Sequence, residues 1–245
     1  MDLARMEFFS RALGKRASYN VLLPETGEGP FPVLFQLHGL TDDCNTWIQR
    51  SNIALHANAY PMVIVFPDGG TSAYLNWKAA GRLGRQNYED LIIIDISDHV
   101  RRHLHVTDGP WAIGGFSMGG WGAMWLGLKY PDRFASIWSH SSKFNWRDSD
   151  LDFSMLAQPE DVDLPAYAER ISMLEQKPII SFDCGVDDQL IEENRDFHNH
   201  LEKIGLEHHY SEHPGGHTWV YWDDHVREAL AQHARVLGLT MSGSA

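Results

Sequence analysis

Hydrophobic residues in this chain fall into short unbroken runs separated by longer stretches of helical periodicity. Pro32–Leu37, Met62–Phe66, Trp111–Gly115, Phe134–Ser139 and Pro178–Phe182 are apolar almost throughout and bounded by Gly, Pro, Asp or His. Runs of that length and setting predict strands buried on both faces. Two earlier segments, Met6–Ser10 and Ala17–Leu23, flank a short turn at Ala12–Lys15 and predict an antiparallel opening. Helices are expected over Thr46–Asn58, over Asn87–Leu104 with Leu91, Ile94, Ile96 and Val100 on the apolar face, from Gly120 onward, and over Leu190–Ile204 and Trp219–Leu237. Glu207–Glu212 supplies a last strand. Strands alternating with helices predict an α/β fold, a mostly parallel sheet with helices on both faces. The interval Ser141–Lys177 breaks this rhythm: it is polar, carries Pro159 and Pro165, and is periodic only over Leu164–Leu174. It is expected to be a cap-like excursion of about 141–177 within a single domain spanning 1–245, not a second domain.

Composition narrows the function classes. The chain has 245 residues, 43% hydrophobic and 22% charged, with a formal net charge of −13. An acidic balance without basic clusters disfavours nucleic acid and anionic membrane surfaces as partners and says little about an uncharged small-molecule substrate. Cys44 and Cys184 are too few for a disulfide framework. The first thirty residues carry Asp2, Arg5, Glu7, Arg11, Lys15 and Arg16, so no signal-peptide core is expected there, and a cytoplasmic location is the expectation. No phosphate-cradling or dinucleotide fingerprint is present, and no cofactor is expected.

The pattern that organises the rest is Gly115-Phe116-Ser117-Met118-Gly119, placed where a predicted strand ends and a helix begins. That is the G-x-S-x-G arrangement in its strand–turn–helix context. The outer glycines permit a sharp turn and close approach of neighbouring elements, leaving Ser117 exposed at the mouth of the sheet and at the positive end of a helix. A serine hydroxyl needs a base to take its proton and a third group to orient that base. In this chain order the partners follow as acid and then histidine, each after a strand. His217 sits in a glycine-flanked loop after the last strand; of fourteen histidines it alone has that placement, while His208, His209 and His213 come too early. For the acid, Asp183 lies too near the strand, and the residues leave adjacent Asp187 and Asp188 as alternatives.

Two backbone N–H donors should hold the oxyanion of a tetrahedral intermediate: that of Met118, and one from the His38-Gly39-Leu40 loop, expected to be Leu40. His38 has no acid placed to serve it and is expected to shape the loop. Trp47, Trp77, Trp121 and Trp219, with Phe144 and Trp146, sit on or beside loops of the same face and are candidates to wall an acyl or aryl pocket, although tryptophan more often packs a core. Metal signals are weak. Asp148-Ser149-Asp150-Leu151-Asp152 imitates a calcium loop, but Phe153 replaces the required glycine and Pro159 the closing glutamate. His208-His209 and Asp223-Asp224 lack zinc spacing, so no metal is expected.

With these residues in view, the chain resembles the putative esterase family of α/β-hydrolases. The likeness runs from about Phe8 to Val236 and rests on Leu37-His38-Gly39-Leu40-Thr41, Trp47 with Arg50-Ser51-Asn52-Ile53, Phe66-Pro67-Asp68-Gly69-Gly70 with Asn76-Trp77, the Gly115–Gly120 turn, Tyr130-Pro131-Asp132-Arg133-Phe134, Cys184-Gly185 with Asp188, and Pro214-Gly215-Gly216-His217-Thr218-Trp219. The resemblance implies the α/β-hydrolase fold, no cofactor, and Asp188 as the acid. Within the family the chain is most similar to small tributyrin-type esterases, which implies a serine carboxylesterase for short-chain acyl esters acting through an acyl-enzyme. S-formylglutathione hydrolases are usually longer and carry Ser-Gly-Leu-Thr-Cys at the oxyanion loop, where this chain has His38-Gly39-Leu40-Thr41-Asp42-Asp43-Cys44. A thioesterase of that kind, or a feruloyl or acetylxylan-type carbohydrate esterase, is the alternative. A non-catalytic binding module on the same fold is the alternative outside enzymes.

Overall fold

The five apolar runs form the centre of one eight-stranded sheet. A computed structural model describes residues 1–78, 84–146, 151–159 and 162–239. Strands β1 (Asp2–Ser10) and β2 (Lys15–Leu23) pair antiparallel, as the opening pattern predicts, and β2 pairs antiparallel with β4 (Val63–Pro67). From there β3 (Val33–Leu37), β7 (Trp111–Phe116), β8 (Phe134–His140), β9 (Ile179–Gly185) and β10 (His209–His213) run parallel, in the order β1-β2-β4-β3-β7-β8-β9-β10. A short hairpin of β5 (Asn76–Trp77) and β6 (Gln86–Asn87) stands apart; two-residue strands leave no periodic signal in sequence.

The pleat explains why the central strands read as unbroken apolar runs. Phe35 and Leu37 of β3 enter one core layer while Leu34 enters the other; in β4, Val63 and Val65 part in the same way from Ile64 and Phe66. Each layer is closed by helices. Helix α8 (Trp219–Val236) buries Tyr221, Trp222, Val226 and Leu230 in one layer beside α1 (Thr46–Arg50) and α2 (Ile53–Ala57). Helix α5 (Met118–Lys129) lies in the other and is buried along its length, as a helix apolar all round must be.

Two helical expectations are corrected. Thr46–Asn58 is not one helix: Ser51 is extended at φ −134°, and Asn52 gives its N–H and side-chain amide to Asp223, each at 2.6 Å. The Asn87–Leu104 segment is helical but runs as α3 (Tyr88–Asp90), a π-helical turn over Leu91–Ile96, and α4 (Ser97–His103). Leu91, Ile96 and Val100 of the expected face are buried, but the wider turn also brings Ile92 and Ile93 inward and leaves Ile94 about half exposed.

In the 141–177 interval, α6 (Leu164–Ser172) packs on α5, with Asp163 capping it by accepting the Ala166 N–H. Residues 155–157 are tied to β5 through Lys78 N–H to Met155 O and Ala157 N–H to Asn76 O. Asp148 and Asp150 of the calcium-like pattern lie outside the described residues, and Asp152 accepts from the N–H and hydroxyl of its neighbour Ser154. Among the described residues no helix is long and apolar enough to cross a membrane.

Candidate active site

Parallel pairing of β7 through β10 brings the loops at their carboxyl ends together. Ser117 directly follows β7, Asp188 follows β9, and His217 follows β10. The last two loops are stitched by Val186 N–H to His213 O and Asp187 N–H to Gly215 O, both at 2.9 Å. The structure thereby brings three distant side chains into one line. His217 Nδ1–H donates to Asp188 Oδ2 at 2.8 Å, and its Nε2 accepts from the Ser117 hydroxyl at 3.0 Å.

Ser117 is held at φ 54°, a conformation costing roughly 1–3 kcal/mol in a non-glycine residue. The surroundings impose it. Its N–H donates to the His140 carbonyl at 2.9 Å, and its own carbonyl accepts the Trp121 N–H at 3.0 Å. Gly119 must lack a side chain, because a Cβ there would lie 2.5 Å from the Leu37 carbonyl oxygen.

The two candidate acids separate by burial. Asp187 is exposed, whereas the Asp188 side chain is fully buried and also accepts the Leu190 N–H at 2.8 Å. Burial works against its charge, yet the hydrogen bonds from His217 and Leu190 and the attraction of His217 lower its pKa below the ordinary aspartate value. The acid therefore stays ionised and faces one imidazole.

Of the expected oxyanion donors, Met118 is the first residue of α5, so its N–H has no helical carbonyl within reach. Leu40 is 47% exposed, and its N–H has no protein acceptor among the described residues. The loop that carries Leu40 is clamped. His38 donates from Nδ1 to the Gly39 carbonyl at 2.7 Å and accepts the Gly69 N–H at Nε2 at 2.8 Å, so both ring nitrogens are spent on backbone. Its burial lowers its pKa and keeps it neutral, the behaviour of a loop-shaping residue.

Tyr74 was not legible in sequence. Its hydroxyl accepts the His38 N–H and donates to the His38 carbonyl, both at 3.0 Å, fixing the same loop from below. Asp183, too near the strand by sequence, lies within β9 and is fully buried. It accepts from Trp138 Nε1–H at 2.6 Å, His140 Nδ1–H at 2.7 Å and the Tyr221 hydroxyl at 2.9 Å. His140 is the residue whose carbonyl anchors Ser117, so this second Asp–His pair braces the turn from behind.

Burial opposes the Asp183 charge, but attraction to His140 and the three hydrogen bonds hold its carboxyl below the usual range. A carboxylate with a depressed folded pKa stabilises the fold above its unfolded value of about 3.9, and the contribution is lost as pH falls through the folded value. Asp183→Ala leaves three buried donors unpaired and is expected to cost about 3–5 kcal/mol, lowering Tm by about 10 °C at pH 7. Thermal melts from pH 7 to pH 3 should show the gap to wild type narrowing below about pH 4.

The tryptophans divide by environment. Trp47 is 1% exposed, donates Nε1–H to the Leu37 carbonyl at 2.9 Å and packs edge-on against Phe116 and Trp219. Trp77 and Trp219 are half-buried; Trp77 donates to the Ser72 carbonyl, and Arg50 lies over the Trp219 ring. Trp121 is buried, donates to the Ala73 carbonyl at 3.0 Å and lines a cleft of about 550 Å³ with Phe144, Trp146, Phe153 and Phe197. Asp163, Glu193 and Asp196 stand on the same cleft, so its lining is aromatic with an acidic edge.

Residues 10–233 match the family described as "Putative esterase". An acetyl esterase from Caldicellulosiruptor saccharolyticus is 24% identical to the chain, covering 96% of it and 99% of its own length. The apoenzyme structure of an S-formylglutathione hydrolase from Staphylococcus aureus superposes with a TM-score of 0.80 at 24% identity, over 95% of this chain and 99% of that one. A ferulic acid esterase superposes with a TM-score of 0.80 at 24% identity, over 96% and 98%. These structural likenesses show the fold, that of the α/β-hydrolases.

Proposed function

The chain belongs to the Putative esterase family, and from that premise we propose that it is a serine carboxylesterase cleaving short-chain acyl esters through an acyl-enzyme. Ser117 Oγ attacks the ester carbonyl carbon while His217 Nε2 takes its proton. Asp188 holds the imidazole in the tautomer that leaves Nε2 free and stabilises the imidazolium that forms. The Leu40 and Met118 N–H groups receive the oxyanion, where a lost donor typically costs roughly 10²–10³ in turnover. Collapse of the intermediate breaks the bond to the alcohol, which leaves with the proton from His217. Water then gives a proton to His217 and attacks the acyl carbon, and Ser117 is released with its proton restored.

The observation that carries this reading is the unbroken hydrogen-bonded line from Asp188 through His217 to Ser117, with 2.8 and 3.0 Å links. The acetyl esterase relative supports a small acyl group. A second reading, aryl-acyl esters, is supported by the ferulic acid esterase neighbour, with half-buried Trp77 and Trp219 as pocket candidates.

A p-nitrophenyl ester series from acetate to laurate tests the assignment, run beside methyl ferulate and S-formylglutathione. The expected result is a maximum in kcat/KM at acetate or butyrate and a fall of at least about tenfold by laurate. Faster turnover of methyl ferulate than of every alkanoate would install the aryl-acyl reading. Activity confined to the thioester would replace both.

A further inference from the structure

Away from the Ser117 line, α7 (Ile191–Lys203) and the approach to β10 bring together His198, Glu202 and His208, whose ligand atoms all lie within 4.8 Å of one another. The geometry points to a binding site for a borderline divalent transition-metal ion, zinc foremost, held by His198 Nδ1, His208 Nε2 and a Glu202 carboxylate oxygen. His198 and Glu202 are four residues apart on one helix and share a face. The pair His208-His209 shows no zinc spacing in sequence because the other ligands come from a different element.

The donor set is oriented as a metal requires. His208 gives its Nδ1–H to the Leu206 carbonyl at 2.7 Å, which leaves Nε2 as the unprotonated nitrogen and aims its lone pair at His198. A backbone carbonyl on the far ring nitrogen is the outer support that metal-bound histidines characteristically have. The His208 side chain is 1% exposed and stacks on Phe182 at 17°, while the His198 ring stacks on Tyr210. Neither ring has to be ordered on binding.

Distances agree with that reading. His198 Nδ1 and His208 Nε2 are 2.8 Å apart, sharing one proton. Two nitrogens on one tetrahedral zinc at about 2.05 Å stand about 3.3 Å apart, so a spread of about 0.5 Å admits the ion. The shared proton leaves Nδ1 of His198, and that ring takes its other tautomer with the proton on Nε2. Glu202 Oε1 is 4.0 Å from His208 Nε2 on a side chain 66% exposed, free to close the remaining gap and leaving solvent access for the ion. Two imidazoles and one carboxylate with room for water suit Zn²⁺, Co²⁺ or Ni²⁺ better than Ca²⁺ or Mg²⁺, which take all-oxygen sets.

A second cluster, His213, His225 and Glu228, lacks this orientation. Its two rings stack face to face at 4.1 Å, and His213 Nε2 is engaged with the Ser211 hydroxyl. The His198 site lies at the start of β10, roughly 16 Å along the strand from the loop bearing His217. Its ion would tie α7 to the sheet edge and take no part in acyl transfer.

The test is calorimetric titration of the chelator-treated protein with Zn²⁺ alone, followed by thermal melts and by visible absorption with Co²⁺ in place of zinc. Because the His217 imidazole also attracts metal, the titration is repeated in His217→Ala. We expect one equivalent retained in that background and a Tm gain of about 5 °C at a hundredfold excess over Kd. His198→Ala should weaken binding by at least about tenfold and Glu202→Gln by less, each abolishing or altering the cobalt absorption, with His225→Ala unchanged. Binding no tighter than millimolar, wild-type affinity in His198→Ala, or loss of the bound ion in His217→Ala or His225→Ala would overturn the site.

Discussion

Ser117→Ala is expected to lower kcat toward p-nitrophenyl acetate by about 10⁴–10⁶-fold with KM little changed. The effect is large because His217 and Asp188 act only through the hydroxyl. His217 has no oxygen to deprotonate, and no covalent intermediate can form for the oxyanion donors to stabilise. Residual turnover measures what those donors and simple binding do without a nucleophile. Alanine keeps a Cβ, so the φ of 54° at this turn is retained and Tm should stay close to wild type. A fluorophosphonate probe should label the wild-type protein at Ser117 and leave the variant unlabelled by intact mass. Undiminished ester turnover in Ser117→Ala, with the fold intact by circular dichroism, would reject the nucleophile.

Asp188→Asn should lower kcat by about 10⁴-fold, whereas Asp187→Asn should change it by less than about twofold. The two residues are adjacent in sequence and differ only in where the loop points them. The Asp188 carboxylate is buried against His217 Nδ1 at 2.8 Å and holds the proton on that nitrogen. An amide in its place carries no charge to balance the imidazolium and can present N–H to the ring, favouring the tautomer that cannot accept from Ser117. Asp187 is exposed and touches no part of the line. Equal losses from the two substitutions would mean that the loop, and not the carboxylate, is what matters.

Local signals in the chain were strong where one element decides the outcome. The glycines around Ser117 marked the tight turn, since a Cβ at Gly119 would collide with backbone. The unbroken apolar runs marked strands covered on both faces, and their alternation with helices marked the α/β class. Signals failed where the outcome depends on a partner from elsewhere. Thr46–Asn58 reads as one helix by periodicity, but Asp223 on α8 takes the Asn52 N–H and ends the first half. Ile94 reads as a core position, but the π-helical turn rotates it outward. Tyr74 carries no motif, and only its hydroxyl on the His38 backbone reveals that it fixes the His38–Leu40 loop.

Taken alone, the order of residues determined the hydrolase class, the sheet and the chemical candidates Ser117 and His217, because turn sterics, burial periodicity and loop position are properties of short segments. Tertiary structure put Asp188 and not Asp187 against His217, set Asp183 behind the Ser117 turn through His140, and joined His198 to His208. Those outcomes are distances between side chains far apart along the polymer. They are set by strand register and by which buried polar groups can find a partner, and no linear spacing encodes them.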